Sequence, residues 1–349
     1  MKALLTKLYR PISAFFALAL LFAAVVIGAD SNNSGDKMVV AADKFMKALS
    51  SEQRTKGVFG FDSPERINWH FVPLQDKQKN PTRKGLRFEE MTGEQKELAF
   101  GLLRSATSEA GFDKAKTIMS LEGVLKESEK NGVNVRSPEW YFVSIFGDPS
   151  AGKPWGWRFE GHHLSLNFTL DGKRVVSTTP AFFGANPAIV KAGAKKGLRT
   201  LPEAEEAPKK LIAALDENQK KEARKDKIFA EIEQEKASAP DFPKGISVAK
   251  LTSEQKSFVK EILSGYANRL AKDLAEKELA RLYGEDFASL DFSYAEEENK
   301  PGHPLTYRLQ GKNVLIEFLN IQADGSGNPA NHIHSSWRAS TGDFGQKKK

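Results

Sequence analysis

The chain has 349 residues, a formal net charge of +7, six histidines and no cysteine. Without cysteine there are no disulfides, thiolate metal sites, cysteine nucleophiles or lipid-bearing cysteines, so the fold rests on a core that a chain of this length is large enough to bury. The positive charge lies in the first residues, in Lys347-Lys348-Lys349 and in a mixed-sign segment from Lys209 to Lys236, with no basic stripe interleaved with aromatics. That distribution argues against nucleic acid as a partner and leaves negatively charged envelope surfaces open as weak, salt-sensitive ones.

Lys2, Lys7 and Arg10 precede an apolar stretch from Ile12 to Ile27 that ends in Gly28-Ala29-Asp30. This is the layout of a secretory signal peptide over residues 1–29, with an uncleaved anchor as the alternative. The expectation is an exported protein, periplasmic or extracellular, with no stable membrane insertion once the leader is removed. Residues 30–60 read as a polar tether carrying one short helix from Val39 to Leu49, in which Ala42, Phe45, Met46 and Leu49 share a face. A single α+β domain is expected over 61–345. Its first element is a strand at Ile67–Val72, rich in β-formers and bounded by Pro64 and Pro73.

Thr92-Gly93-Glu94-Gln95 is a capping box that starts a helix with Leu98, Leu102 and Leu103 on its apolar face. Thr252-Ser253-Glu254-Gln255 starts another with Phe258, Ile262 and Leu263 in the same places. The strands that follow also match. Trp157-Arg158-Phe159-Glu160-Gly161 shares its pattern with Tyr307-Arg308-Leu309-Gln310-Gly311, and Leu164, Leu166 and Phe168 correspond to Val314, Ile316 and Phe318 at period two. The fold class predicted is therefore α+β with two internally related halves, pseudo-repeats of about 91–185 and 251–345. Each half is a helical layer followed by antiparallel strands, the two burying their apolar faces against each other within one domain. Asp171-Gly172 marks a tight hairpin turn between 166–170 and 175–179. Pro202 to Lys236, rich in Ala, Glu and Lys, reads as one or two surface helices with Leu211, Leu215, Ile228 and Ile232 at helical intervals.

Four of the six histidines fall in two short segments. His332 and His334 stand at i and i+2 in a strand-like run, so an extended backbone points both rings to one side, as a strand presents two ligands to one ion. His162-His163 lies in the run from Trp157 to Phe168. By alternation His163 belongs to the polar face with Ser165 and Asn167, although a bulge at Gly161 would turn His162 inward instead. His163, His332 and His334, with His162 as the alternative member, are the candidate ligands, and His70 and His303 are reserves. Imidazole donors without sulfur suit one divalent transition metal, zinc, copper, iron or nickel, better than calcium or magnesium. Three such ligands leave a position open for water or substrate.

The expected catalytic set around that ion is Glu160, Arg158 and Arg338. Glu160 serves as general base or pairs with Arg158; the arginines bind a carboxylate or phosphate, or pair within the protein. Asp343 and Asn331 are candidates to orient the imidazoles. The five tryptophans line a ligand cleft or pack in the core. Asp324 to Asn328 reads as a hairpin loop, lacking the glycine and glutamate of a calcium loop, and Gly147 to Lys153 as a turn, since Pro154 denies it the hydroxyl and helix of a phosphate loop. The reading is a metal-dependent hydrolase or oxidase acting on a small molecule or glycan. The alternatives are a metal-free module that holds an organic anion or glycan through the tryptophans and arginines, and a structural envelope protein.

At Trp157 to Thr169, Phe183-Gly184-Ala185-Asn186-Pro187-Ala188, Tyr307 to Gly311, Asn331 to Arg338 and Asp343-Phe344-Gly345, the sequence resembles the domain of unknown function 3500 family over roughly residues 61–345. Leu305-Thr306 departs from the more aromatic run expected there. The resemblance implies an exported protein and carries no activity with it.

Overall fold

The computed structural model describes residues 33–129, 132–234, 236–284 and 286–346; the predicted leader lies outside them. Among the described residues there are eight α-helices, α1 (Ser34–Ala48), α2 (Ser51–Gly57), α3 (Gly93–Ala106), α4 (Glu109–Ser128), α5 (Pro202–Ala214), α6 (Glu217–Ala223), α7 (Ser253–Ala267) and α8 (Lys272–Tyr283). The strands are β1 (Val58–Phe59), β2 (Leu86–Arg87), β3 (Tyr141–Phe146), β4 (Pro154–Gly161), β5 (Leu164–Asp171), β6 (Arg174–Ser177), β7 (Ala181–Ala185), β8 (Ile246–Ser247), β9 (Asp291–Glu296), β10 (Leu305–Gly311), β11 (Val314–Gln322) and β12 (His332–Arg338). The class is α+β.

Both predicted capping boxes form. Thr92 Oγ1 accepts from the Gln95 amide while Gln95 Oε1 accepts from the Thr92 amide, and Thr252 and Gln255 do the same. Each glutamine then reaches the end of an earlier helix, Gln95 donating to the Ala48 carbonyl at 2.8 Å and Gln255 to that of Ala214 at 2.7 Å. The order helix, short capped helix, two-residue strand, capped helix, helix and four-stranded meander thus occurs twice, as α1, α2, β2, α3, α4 and β3-β4-β5-β7 and as α5, α6, β8, α7, α8 and β9-β10-β11-β12, the first half carrying β1 and β6 in addition.

The meanders do not pack face to face. They join edge to edge, β7 antiparallel to β12 with Phe183 opposite Ser335, into one sheet of order β1-β3-β4-β5-β7-β12-β11-β10-β9-β8. Pairing the two inner edges satisfies backbone groups that separate halves would leave exposed. One face of this sheet is apolar. Trp155, Trp157, Phe159, Leu164, Leu166, Phe168, Tyr307, Ile316 and Phe318 form a single core with Leu102 and Leu103 of α3 and Ile262 and Leu263 of α7. Residues 34–57 belong to that core: instead of a tether with one short helix they form α1 and α2, and Met38, Ala42 and Phe45 are fully buried.

The other face is polar yet also buried, carrying Arg158, Glu160, Asn167, Arg308, Glu317, Ser336 and Arg338. Segments at about 61–85, 224–234 and 236–245, largely without helix or strand, cover it, because the sheet's arginines grip their carbonyls. Arg158 of β4 donates to the carbonyls of Glu65 and Asn68 at 2.9 and 3.0 Å, and Arg338 of β12 to those of Glu233 and Lys236, both at 2.9 Å; within the first segment itself Arg83 donates to the His70 carbonyl at 2.9 Å. This corrects two expectations. Ile67–Val72 is not a strand: the guanidinium groups of Arg158 and Arg83 take the carbonyls of Asn68, His70 and Val72, and the His163 amide takes that of Phe71. Residues 224–234 are not helical, and Ile232 anchors them in a second apolar cluster with Trp69, Phe71, Phe182, Leu319 and Phe344. No helix among the described residues is long and apolar enough to cross a membrane.

Candidate metal centre

His162 and His163 do not lie inside a strand. Gly161 pairs with Leu164, so the two histidines are the tip of the tight β4–β5 turn, with His163 at φ +63°. A non-glycine residue in the left-handed region is uncommon and is held there by its surroundings. The His163 amide donates to the Phe71 carbonyl and its carbonyl accepts from the Gly184 amide, both at 2.8 Å, while Tyr141 Oη donates to the His162 carbonyl at 2.7 Å. Glycine is required opposite this ring: a Cβ on Gly184 would stand 3.0 Å from Cγ and Cδ2 of His163 and 2.9 Å from the Ile333 carbonyl.

The turn aims the His163 ring at β12. As the i, i+2 spacing predicts, His332 and His334 project from the same side of that strand. His163 Nε2 lies 2.8 Å from His332 Nε2 and 3.2 Å from His334 Nε2. The three donor atoms all lie within 4.8 Å of one another. An ion held at 2.0–2.1 Å with tetrahedral angles sets its ligand nitrogens about 3.3 Å apart, so the cluster is already near ligating dimensions. His163 and His334 are buried and His332 is half-buried.

Protonation favours ligation. Burial, followed by repulsion from His162, His332 and His334, holds the His163 imidazole far below its ordinary pKa, and burial with the His334 charge pushes His332 down to about 2. Both rings are therefore neutral near pH 7, the form that binds a metal. His334 is oriented by a residue the sequence did not single out. Glu231, on the 224–234 segment, places both carboxylate oxygens 2.9 Å from His334 Nδ1. Nδ1 donates to it, which leaves the Nε2 lone pair facing the other two rings. This is the carboxylate–histidine arrangement that fixes a ligand tautomer in metal sites. The only sequence cue was a run of alternating glutamates inside what read as a charged helix.

His162 takes no part in the triad. Its ring stacks on His163 at 3.7 Å between centroids, and its Nδ1 contacts Glu122 Oε1 at 2.5 Å and Arg136 Nη1 at 3.1 Å. Phe71 and Phe182 close on His334 with ring centroids 5.2 and 5.5 Å away.

The structure does not bring Glu160, Arg158 and Arg338 to the imidazoles as a reacting set. Glu160 lies 3.2 Å from both Arg83 and Arg158 and accepts from the His70 amide at 3.0 Å. Burial opposes its ionisation, but the two guanidinium groups outweigh that and hold its pKa below the ordinary carboxylate value. Arg338 is bound to Asp343 at 2.8 Å. Both arginines are fully buried and bonded to protein acceptors, so the role in binding an outside anion is replaced by one in holding the covering segments. Asp343 and Asn331 likewise do not orient the rings: Asn331 fastens Asp324 and the Ile189 backbone, closing the 324–328 hairpin loop just before His332. Of the reserve ligands, His70 contacts Asn68 at 3.1 Å and His303 is exposed. Trp69, Trp155 and Trp157 are core residues.

A family model described as a protein of unknown function (DUF3500) matches residues 31–346. No curated protein and no solved structure matches the chain.

Proposed function

The chain belongs to the DUF3500 family, whose description names no activity, and from the site itself we propose that it binds one divalent transition metal ion through Nε2 of His163, His332 and His334 and acts as a metal-dependent enzyme. The observation that carries this is the convergence of three imidazole nitrogens from two sequence-distant segments, one of them backed by a carboxylate. Without an ion, three nitrogens that share at most one or two protons crowd lone pairs together at 2.8 and 3.2 Å, whereas one cation satisfies all three. Zinc, copper, iron and nickel fit this donor set. Three protein ligands leave a further position, where a bound ion supplies Lewis acidity for hydrolysis or, for copper or iron, redox chemistry for an oxidase.

Export through the leader at 1–29 is part of the same proposal, supported by its charge and apolar layout. So is duplication of an ancestral half, supported by the repeated element order and the paired glutamine contacts. A second reading, a structural clasp, is favoured by the burial of His163 and His334 and by the way the site ties the β4–β5 turn to the first residues of β12.

The test is metal analysis of protein prepared without a histidine tag, before and after reconstitution with zinc, copper, iron and nickel. One equivalent that is lost in His332→Ala and His334→Ala is expected. A substoichiometric content that survives reconstitution refutes the proposal. Exogenous azide or imidazole separates enzyme from clasp, because a ligand field that shifts on addition to the cobalt or copper form requires an open position.

A further inference from the structure

The β10–β11 turn, Gly311-Lys312-Asn313-Val314, stands in the second meander where the histidine turn stands in the first. The residues entering β7 correspond likewise to those entering β12. In the second meander this place holds no imidazole and opens into a cleft of about 970 Å³, at the upper end of the range of small-molecule sites, about 300–1,000 Å³. It lies at the opposite end of β12 from His332, roughly 20 Å away at about 3.3 Å per residue.

The lining is specific in its chemistry. Thr178, Thr179, Ser340, Thr341 and Asn313 are among its lining residues, and their hydroxyl and amide groups both donate and accept hydrogen bonds. The charged residues around it are balanced, Asp241 and Glu278 against Arg281 and Lys312, and Glu278 already holds Arg281 at 2.7 Å. Neither an anion nor a cation gains net attraction from such a lining. Val176, 41% exposed, and the largely buried Trp337 are the large apolar residues of the lining. The walls are fixed in advance: Asn313 Nδ2 donates to Asp286 at 3.0 Å, Ser177 and Thr179 hydroxyls lie 3.2 Å apart, and Asp343 accepts from the Ala339 amide at 2.8 Å to pin the loop after β12. Preorganised groups lose little entropy when a ligand binds.

We propose that this cleft is a second binding site, separate from the metal centre, for a neutral polyhydroxylated ligand of the carbohydrate class. Ligand hydroxyls match the mixed donors and acceptors, the C–H face of a sugar ring suits Val176 and Trp337, and the balanced charges select against acidic sugars.

The experiment is calorimetric titration of the full chain with cellobiose, maltose and diacetylchitobiose, and with digalacturonate as the anionic comparison. At least one neutral disaccharide is expected to bind saturably, to bind equally after EDTA treatment, and to lose affinity at least about tenfold in Ser340→Trp and in Lys312→Trp. Both substituted positions are at least partly exposed, and an unchanged unfolding midpoint of each free variant shows that the fold is kept. Absence of binding by all three neutral sugars overturns the proposal. So does binding that survives both fillings, or digalacturonate binding as tightly as the best neutral sugar.

Discussion

Removing the Glu231 carboxylate tests how the metal centre is organised without touching a ligand. Both its oxygens lie 2.9 Å from His334 Nδ1, and its side chain is 43% exposed. Outer partners of this kind contribute about 10- to 100-fold to metal affinity, or about 1.4 to 2.7 kcal/mol. Solvent screening places the purely electrostatic share at the low end. Glu231→Gln keeps an oxygen that accepts from Nδ1–H and loses only the charge, so zinc affinity is expected to fall about tenfold. Glu231→Ala also frees the ring to rotate, and the fall approaches about 100-fold. Competition of zinc against a chromogenic chelator measures both, and the unfolding midpoint of the metal-free variants is expected to stay near that of the parent. If neither variant changes affinity while the parent binds one zinc, Glu231 does not hold the ring and the assignment of His334 as a ligand fails with it.

Gly184→Ala sets a methyl 3.0 Å from the His163 ring and 2.9 Å from the Ile333 carbonyl; the expected outcome is a loss of about 1–3 kcal/mol in stability with weakened metal binding, read by denaturant titration and the same chelator assay. His163→Asn keeps a residue that tolerates positive φ while deleting the ligand, so metal content should vanish from a protein whose circular dichroism is unchanged. Glu160→Gln leaves the buried Arg83 without its counter-charge and Arg158 with Glu65 alone, and should cost roughly 3–5 kcal/mol at neutral pH. Because the folded-state pKa of Glu160 is depressed, the stability it contributes is present above the ordinary carboxylate pKa and lost as pH falls through its lowered value; urea unfolding across that acid range should therefore show a shallower decline in the variant than in the parent. Thr92→Ala and Thr252→Ala each remove a side-chain cap and should each lower stability by about 0.5–2 kcal/mol, a difference that thermal unfolding resolves.

The sequence determined whatever is settled within a few residues of chain. Thr92 and Thr252 start helices because a hydroxyl and an amide three residues on satisfy each other whatever the rest of the molecule does. Gly172, at φ +56°, and Lys173 turn the chain between the paired Asp171 and Arg174 for a similarly local reason, and His332 and His334 share a side because a strand alternates with period two. The tertiary structure decided what depends on distant partners. His162-His163 reads as strand by composition, yet the Gly161–Leu164 pairing makes it a turn, and contacts from Phe71 and Gly184 hold His163 at positive φ. Residues 67–72 and 224–234 carry strand and helix patterns, but buried arginines on the sheet take up backbone carbonyls of Asn68 and Glu233 and draw these stretches out as covering segments, which is how Glu231 reaches His334. Edge-to-edge pairing of β7 with β12 brings His163 to His332 and His334 across about 170 residues. Local hydrogen bonds are encoded at short range, whereas that convergence exists only once the two meanders share one sheet.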